Sequence, residues 1–333
     1  MPTDVTCLGE ALIDFVATTA DVTVGEAEGF VKAPGGAPAN VAVGVARLGG
    51  NVAFLGKVGE DPFGRFLDRT FSEAGVDTGG IRFSPESRTS LAFVSRQKDG
   101  ERSFCFFRNP GADMTYAPEE LDRDKLKTQV FHFGSITLID EPSQQTTLTA
   151  LQIAKENGAL ISFDPNLRPA LWRSLKVAQA TILEQLPHVD LLKVSAEELY
   201  FLFKGRLPTE ELESKYLKRG IKELRKLFPN LALIVVTQGA EGCVWLRGDC
   251  FGSMAGLKVK AIDTTGAGDG FVAGLLTSLR EQNLLTLNAL SGADPTHLFH
   301  AVQFANQVGA FTTTRLGAIP ALPTRAELDA FFS

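Results

Sequence analysis

Six short, mostly apolar runs recur along the chain: Val5 to Leu8, Val52 to Leu55, Val130 to Phe133, Leu160 to Phe163, Leu191 to Val194 and Leu231 to Thr237. Runs this continuous fit strands buried on both faces. Helical patterns lie between most of them. Val41, Val45 and Leu48 stand at i, i+4, i+7, and Phe63, Leu67, Phe71 and Ala74 repeat with a period of three to four. Each strand-to-strand crossover must lay a helix on the sheet, so the pattern predicts a doubly wound α/β fold with a mainly parallel sheet.

The 333 residues suffice for one large domain or two ordinary ones, and 44% hydrophobic residues can bury a sizeable core. With 33 basic against 39 acidic residues the net charge is −6, which argues against nucleic acid as a partner. The most basic stretch, Lys215 to Lys226, alternates with apolar positions as a solvated helix does. Cys7, Cys105, Cys243 and Cys250 have neither metal-knuckle nor disulfide-framework spacing and read as reduced, mostly buried thiols. The start lacks a basic and apolar leader, and no run approaches about 18 apolar residues. A cytoplasmic protein without a membrane partner is expected.

Ser90 to Arg108 breaks the alternation. It reads as a hairpin about Asp99-Gly100, with Lys98 opposite Glu101 and Phe93 opposite Phe106. Phe15 to Ala33 is a second extended piece. Together the two predict a small antiparallel sheet standing off the main one, either a lid or dimer surface or a set of ordinary edge strands.

Asp263-Thr264-Thr265-Gly266-Ala267-Gly268-Asp269-Gly270 precedes an apolar helix. Its glycines let backbone N–H groups approach an anion at a helix start, and Asp269 stands in the first turn, where the helix dipole favours a low-pKa carboxylate. Such a group can orient a hydroxyl nucleophile and collect its proton during phosphoryl transfer; otherwise it decorates a helix end. Pro34 to Asn40 forms a second Gly-rich loop. Asn40 offers a donor and an acceptor, as a sugar hydroxyl needs, or else caps locally. Asp14, Asp164 to Arg168 and Thr237 to Gly242 follow apolar strands, where an open sheet has its ligand crevice.

Gly35 to Gly59 (GGAPANVAVGVARLGGNVAFLGKVG) and Asp263 to Gly274 (DTTGAGDGFVAG) resemble the two signatures of the ribokinase-like (PfkB) carbohydrate kinases. DPNLR and VTQGAEG match as well, and the chain is most similar to the family's fructokinases. The resemblance implies a single three-layer α/β/α domain over residues 1–333, with a β lid formed by segments about 15–33 and 88–110 that also serves homodimerisation. It implies transfer of the ATP γ-phosphoryl group to a hydroxyl of D-fructose. Carried over, Asp269 is the base and Gly266, Ala267 and Gly268 the anion hole. Asp14, Gly35, Gly36, Asn40 and Arg108 hold the sugar; Arg168, Ser195, Thr237, Gly239, Gly242 and Asn306 serve the nucleotide. Glu198 holds Mg²⁺ through water, with Ser195 where many relatives have Asn. Asp263, Thr265 and the tail from Thr312 to Ala321 match a monovalent-cation site, K⁺ in kind.

A 2-keto-3-deoxygluconate kinase shares much of this pattern and would pair Arg108 with its substrate's carboxylate; otherwise Arg108 is an exposed strand-end charge. A non-catalytic assembly subunit or sugar sensor would be expected to lose the base or the glycines, which this chain keeps. A dinucleotide oxidoreductase needs its Gly-rich turn in the first strand-turn-helix unit, whereas the strongest phosphate loop here lies near the C-terminus.

Overall fold

The apolar runs become the centre of a nine-stranded sheet. The computed structural model describes residues 3–19, 21–96, 102–210, 212 and 214–333. The main-sheet strands are β1 (Thr3–Leu8), β4 (Val52–Gly59), β5 (Asp77–Ser84), β8 (Thr128–Phe133), β9 (Leu160–Phe163), β10 (Leu191–Ser195), β11 (Leu233–Thr237), β12 (Gly242–Arg247) and β13 (Cys250–Ala255), in the order β13-β12-β11-β10-β9-β8-β1-β4-β5. All neighbours run parallel except β11–β12 and β12–β13. The three strands missing from the sequence reading are the two edges, β5 and β13, and β12 beside β13. β5 is short of apolar residues, and β12 begins inside the Gly-rich exit of β11. The two-residue Gly248-Asp249 connection, with Gly248 at φ 54°, joins β12 to β13.

Side chains alternate between the two faces of each strand, so each face collects its own core. Val5 and Cys7 of β1 pack with helices α1 (Ala37–Arg47), α2 (Pro62–Glu73), α7 (Ala267–Glu281), α8 (Leu287–Ser291) and α9 (Pro295–Thr312). Leu8, Phe131 and Phe133 pack with α3 (Ser143–Glu156), α4 (Leu175–Gln185), α5 (Ala196–Lys204) and α6 (Ser214–Leu227). α10 (Arg325–Phe332) closes a small cluster against α9. In α6 the basic residues face outward while Leu217, Ile221 and Leu224 are buried. The cysteines are free; Cys7 and Cys243 are buried, Cys250 is half-buried and Cys105 is exposed, so the expectation of mostly buried thiols holds at two of the four.

A second sheet has the order β3-β2-β6-β7, from β2 (Leu12–Ala17), β3 (Phe30–Gly35), β6 (Leu91–Arg96) and β7 (Arg102–Phe107). It is mixed rather than antiparallel, because β2 runs parallel to β6. The expected hairpin exists in a register one residue away: Phe93 faces Cys105, and Ala92 faces Phe106. Lys98, Asp99, Gly100 and Glu101 lie outside the described residues. The aromatic packing explains the shift. Phe93 stacks on Phe15 at 5.1 Å and meets Phe30 and Phe107 edge-on, leaving Phe106 on the opposite face.

Buried carboxylates tie the root of this sheet to the main one. Asp61 caps α2 by accepting from the N–H groups of Phe63 (3.0 Å) and Gly64 (2.9 Å), and it also accepts from the Thr89 N–H (2.8 Å) and hydroxyl (2.9 Å). Asp61→Ala removes a helix cap and strands the Thr89 donors. The expected loss is about 2–3 kcal/mol, seen as a lower urea midpoint at unchanged slope. A loss below about 0.5 kcal/mol would mean that water replaces the carboxylate at no cost.

Candidate active site

The exits of β1, β8, β9, β10 and β11 converge on the N-terminus of α7. Two cavities, of about 170 and about 230 Å³, open there and share Thr264 and Gly268. The first is lined by Glu10, Asp14, Gly36, Asn40, Phe106, Asn166, Arg168, Lys193, Thr265, Gly266 and Asp269 among others. The second is more apolar, with Leu257, Val259, Ala261 and Phe271 beside Thr237, Gly239, Gly242 and Asn306.

Asp269 lines the first cavity, next in sequence to the shared Gly268. Its Oδ2 accepts from the Asn40 side-chain amide at 2.7 Å and its Oδ1 from that of Asn166 at 3.3 Å. Burial pushes its pKa up to about 6; the Asn40 hydrogen bond, Lys193 and Arg168 pull it down, and Asp164 adds to the rise. Desolvation therefore outweighs the helix dipole that predicts a low value. Because Asn40 must turn its nitrogen to the carboxylate, its oxygen is left buried without a partner among the described residues. That acceptor suits a ligand hydroxyl.

The glycines have specific physical reasons. Gly36, at φ 113°, would place a Cβ 2.2 Å from the Glu10 carbonyl oxygen. Gly35 does not line the cavity, but a Cβ there would lie 2.3 Å from the Asp14 carboxylate. Gly266 is the N-cap of α7, at φ 75°, and no side chain caps that helix. The Ala267 N–H donates to the Thr264 carbonyl at 3.3 Å, and the remaining first-turn N–H groups are left for an anion between the cavities. Asp263 braces the loop: its oxygens accept from the Thr265 N–H and hydroxyl and from the Gly317 N–H of the tail.

Asp14, Gly36, Asn40, Arg168, Thr265, Gly266, Gly268 and Asp269 are thus brought to the first cavity, and Thr237, Gly239, Gly242, Ala267, Gly268 and Asn306 to the second. Arg108 is buried and lines neither. Its Nε bonds the equally buried Asp113 at 2.7 Å, so it is not an exposed strand-end charge. Ser195 and Glu198 also stand outside both linings. They form a reciprocal capping box at the start of α5, and the second Glu198 oxygen accepts from the Leu167 N–H at 2.7 Å. The S-x-x-E spacing itself carries that signal.

Four lining or supporting groups have no individual role in the sequence reading, although two of them, Asp164 and Asn166, lie in a strand exit that it places at the crevice. Glu10 is buried, accepts from the Ala37 N–H at 2.8 Å, and is pushed by burial to a pKa of about 7. Asn166, in the left-handed region at φ 44°, reaches Asp269. Lys193 and Asp164 form a buried pair at 2.8 Å. A lysine inside the apolar run of β10 was the available signal, since buried lysines are rare unless paired.

Residues 2–325 match the pfkB family carbohydrate kinase description. A probable chloroplastic fructokinase-6 of Arabidopsis thaliana is 48% identical over 323 residues, covering 96% of this chain and 80% of that protein. The structure of a Xylella fastidiosa fructokinase with bound ATP superposes with a TM-score of 0.87 at 34% identity, covering 100% of this chain and 98% of that one. A double-mutant Vibrio cholerae fructokinase bound to fructose, ADP and potassium ion gives 0.83 at 37%, covering 99% and 98%.

Proposed function

We propose that this chain, which belongs to the pfkB family of carbohydrate kinases, is a fructokinase that moves the γ-phosphoryl group of ATP to the terminal hydroxyl of D-fructose. The observation that carries the reading is the position of Asp269, a buried carboxylate on the wall of a polar cavity sized for a small ligand and next in sequence to Gly268, which that cavity shares with an apolar one. Fructose occupies the first cavity, held by Asp14, the free oxygen of Asn40 and the backbone at Gly36. ATP lies in the second, along Thr237, Gly239, Gly242 and Asn306. Asp269 takes the hydroxyl proton as the sugar oxygen meets phosphorus, and the α7 amides at Gly266 to Gly268 steady the equatorial oxygens.

The single domain over residues 1–333, the small sheet acting as a lid through segments 15–33 and 88–110, and a homodimer through that sheet belong to the same proposal. Val31 and Phe107, 61% and 60% exposed, supply apolar surface for such a contact. Cytoplasmic residence belongs to it too; no helix among the described residues is long and apolar enough to cross a membrane.

Bound with ATP, Mg²⁺ neutralises phosphate charge and keeps much of its hydration shell. The chain offers it no cage: no group of three or more His, Cys, Asp or Glu side chains fit for a metal occurs among the described residues. Each oxygen of Glu198 accepts one backbone N–H group, which leaves lone pairs to accept from the ion's water shell. Asp263 has both oxygens on protein donors and braces the loop beside which K⁺ would sit.

The 2-keto-3-deoxygluconate reading needs a cation for the substrate carboxylate, and Arg108 is engaged with Asp113. A panel of sugars with ATP should give turnover on D-fructose and at most marginal turnover on the sugar acid, with ATP stable when no sugar is added. A faster reaction with the sugar acid would reverse the assignment. Asp269→Asn should lower kcat by at least about 10³-fold while fructose still binds in a calorimeter; turnover within tenfold of the parent would remove Asp269 from the chemistry. Asp269 must be ionised to accept the proton and its pKa stands at about 6. The kcat/KM of the parent should therefore be full above pH 7 and fall as pH drops through about 6. A limb near 4, the ordinary aspartate value, would contradict the effect of burial.

A further inference from the structure

We propose that Lys193 is a catalytic residue, its ammonium contacting the phosphoryl group as that group crosses from the second cavity to the first; this rests on the kinase reading above. Lys193 lies in the middle of β10, a strand whose other central residues are apolar, and it is only 6% exposed. It lines the first cavity, and a Cβ added to Gly268, in the first turn of α7, would come within 2.9 Å of its Nζ. The ammonium thus adjoins the same stretch of backbone that offers N–H groups to an anion.

An ammonium has three donors. Among the described residues its one hydrogen bond is to Asp164 Oδ2, at 2.8 Å, so a contact to phosphate does not require that bond to break. A buried ion pair is a poor stabiliser because desolvation offsets the attraction. A purely structural pair has little reason to sit on a cavity wall. Desolvation lowers the lysine's pKa, but Asp164, Glu198 and Asp269 together hold it above the ordinary value, so it stays charged throughout the working range.

The reaction balances without a proton from lysine. The bond from the sugar oxygen to phosphorus forms while that from the γ-phosphorus to its bridging oxygen breaks. The hydroxyl proton passes to Asp269, and the electron pair leaves with ADP. Lys193 balances charge on the equatorial oxygens, which gather in a loose transition state, and Asp164 orients it.

The test is the double variant K193M/D164N, which removes both charges together and leaves neither buried alone. Its kcat should fall by about 10²–10³-fold, with fructose KM and ADP affinity within threefold of the parent. A second readout does not depend on turnover: the tightening of ADP binding by fluoroaluminate in the presence of fructose should shrink at least tenfold. It is measured in K193M/D164N and, should that variant fail to melt cooperatively, in K193R, which keeps the charge but moves it. Losses under tenfold in both kcat and the fluoroaluminate effect would overturn the proposal, as would a K193R variant indistinguishable from the parent in the second case. The parent assayed alongside separates the two ideas: if it leaves fructose untouched, the sugar assignment fails, and the same comparison is run on whichever sugar of the panel it accepts.

Discussion

Two amide-to-carboxylate bonds hold the centre of this molecule together. Asn40, at the start of α1, and Asn166, beyond the end of β9, both donate to Asp269 in the first turn of α7, across 229 and 103 residues of sequence. Each donor comes from a different strand-helix junction. The distance between α1 and α7, and the place where the β9 exit turns back, are therefore set by one carboxylate. Burying that group raises its pKa, a direct cost to the ionised form, yet the Asn40 amide, Lys193 and Arg168 leave it charged near neutrality. The carboxylate is thus a stronger proton acceptor than an ordinary aspartate and still mostly ionised at pH 7.

Around that carboxylate the loops are fastened by further acids rather than by packing alone. Asp263 fixes the loop before α7 to the tail, Glu10 holds the first amide of α1, and Glu198 ties the β9 exit to α5. Loops at the carboxyl edge of a parallel sheet have exposed backbone donors, and a buried carboxylate can accept several at once. Each brace also keeps a glycine-lined surface open. Gly36 and Gly266 could not be exchanged for residues with a Cβ without moving backbone on the other side of the crevice. Precision here comes from charge-assisted hydrogen bonds, while the two cores on either side of the sheet supply the bulk of the stability.

What the sequence made legible follows the same division. The central strands were visible because parallel strands buried on both faces are apolar throughout, as Leu191 and Leu192 are. Edge strands such as β5, with glycines at 79 and 80, escape that rule. The small sheet was legible as a departure from the pattern, but its register was not. A turn dipeptide proposes a pairing, and the Phe15, Phe30, Phe93 and Phe107 cluster, drawn from all four strands, decides it. The Gly-rich loops located the cavities correctly because backbone approach leaves its mark as glycine. Arg108, Ser195 and Glu198 behaved differently, since whether a polar side chain faces a cavity or bonds its neighbours depends on contacts far along the chain. Lys193 and Asp164 illustrate the converse: each is unremarkable alone, and only adjacency of β9 and β10 makes them a pair.

That pair bears on which acceptor the first cavity suits. Glu10, Asp14 and Asp269 stand on its wall against Lys193 and Arg168, and Lys193 is already balanced by Asp164. A carboxylate-bearing sugar entering this space would meet acids on several sides, with few cations left uncommitted. A neutral polyol meets the reverse situation: carboxylates are strong acceptors for hydroxyl groups, and the buried Asn40 oxygen adds another. In the reaction proposed above, the anionic phosphoryl group would approach from the other side, where Gly268, the α7 N-terminus and the Lys193 ammonium lie. On that reading the crevice is polarised along the direction of transfer, with acceptors toward the sugar and donors toward the phosphate. An uncharged acceptor is favoured on these grounds before any individual contact with the sugar is considered.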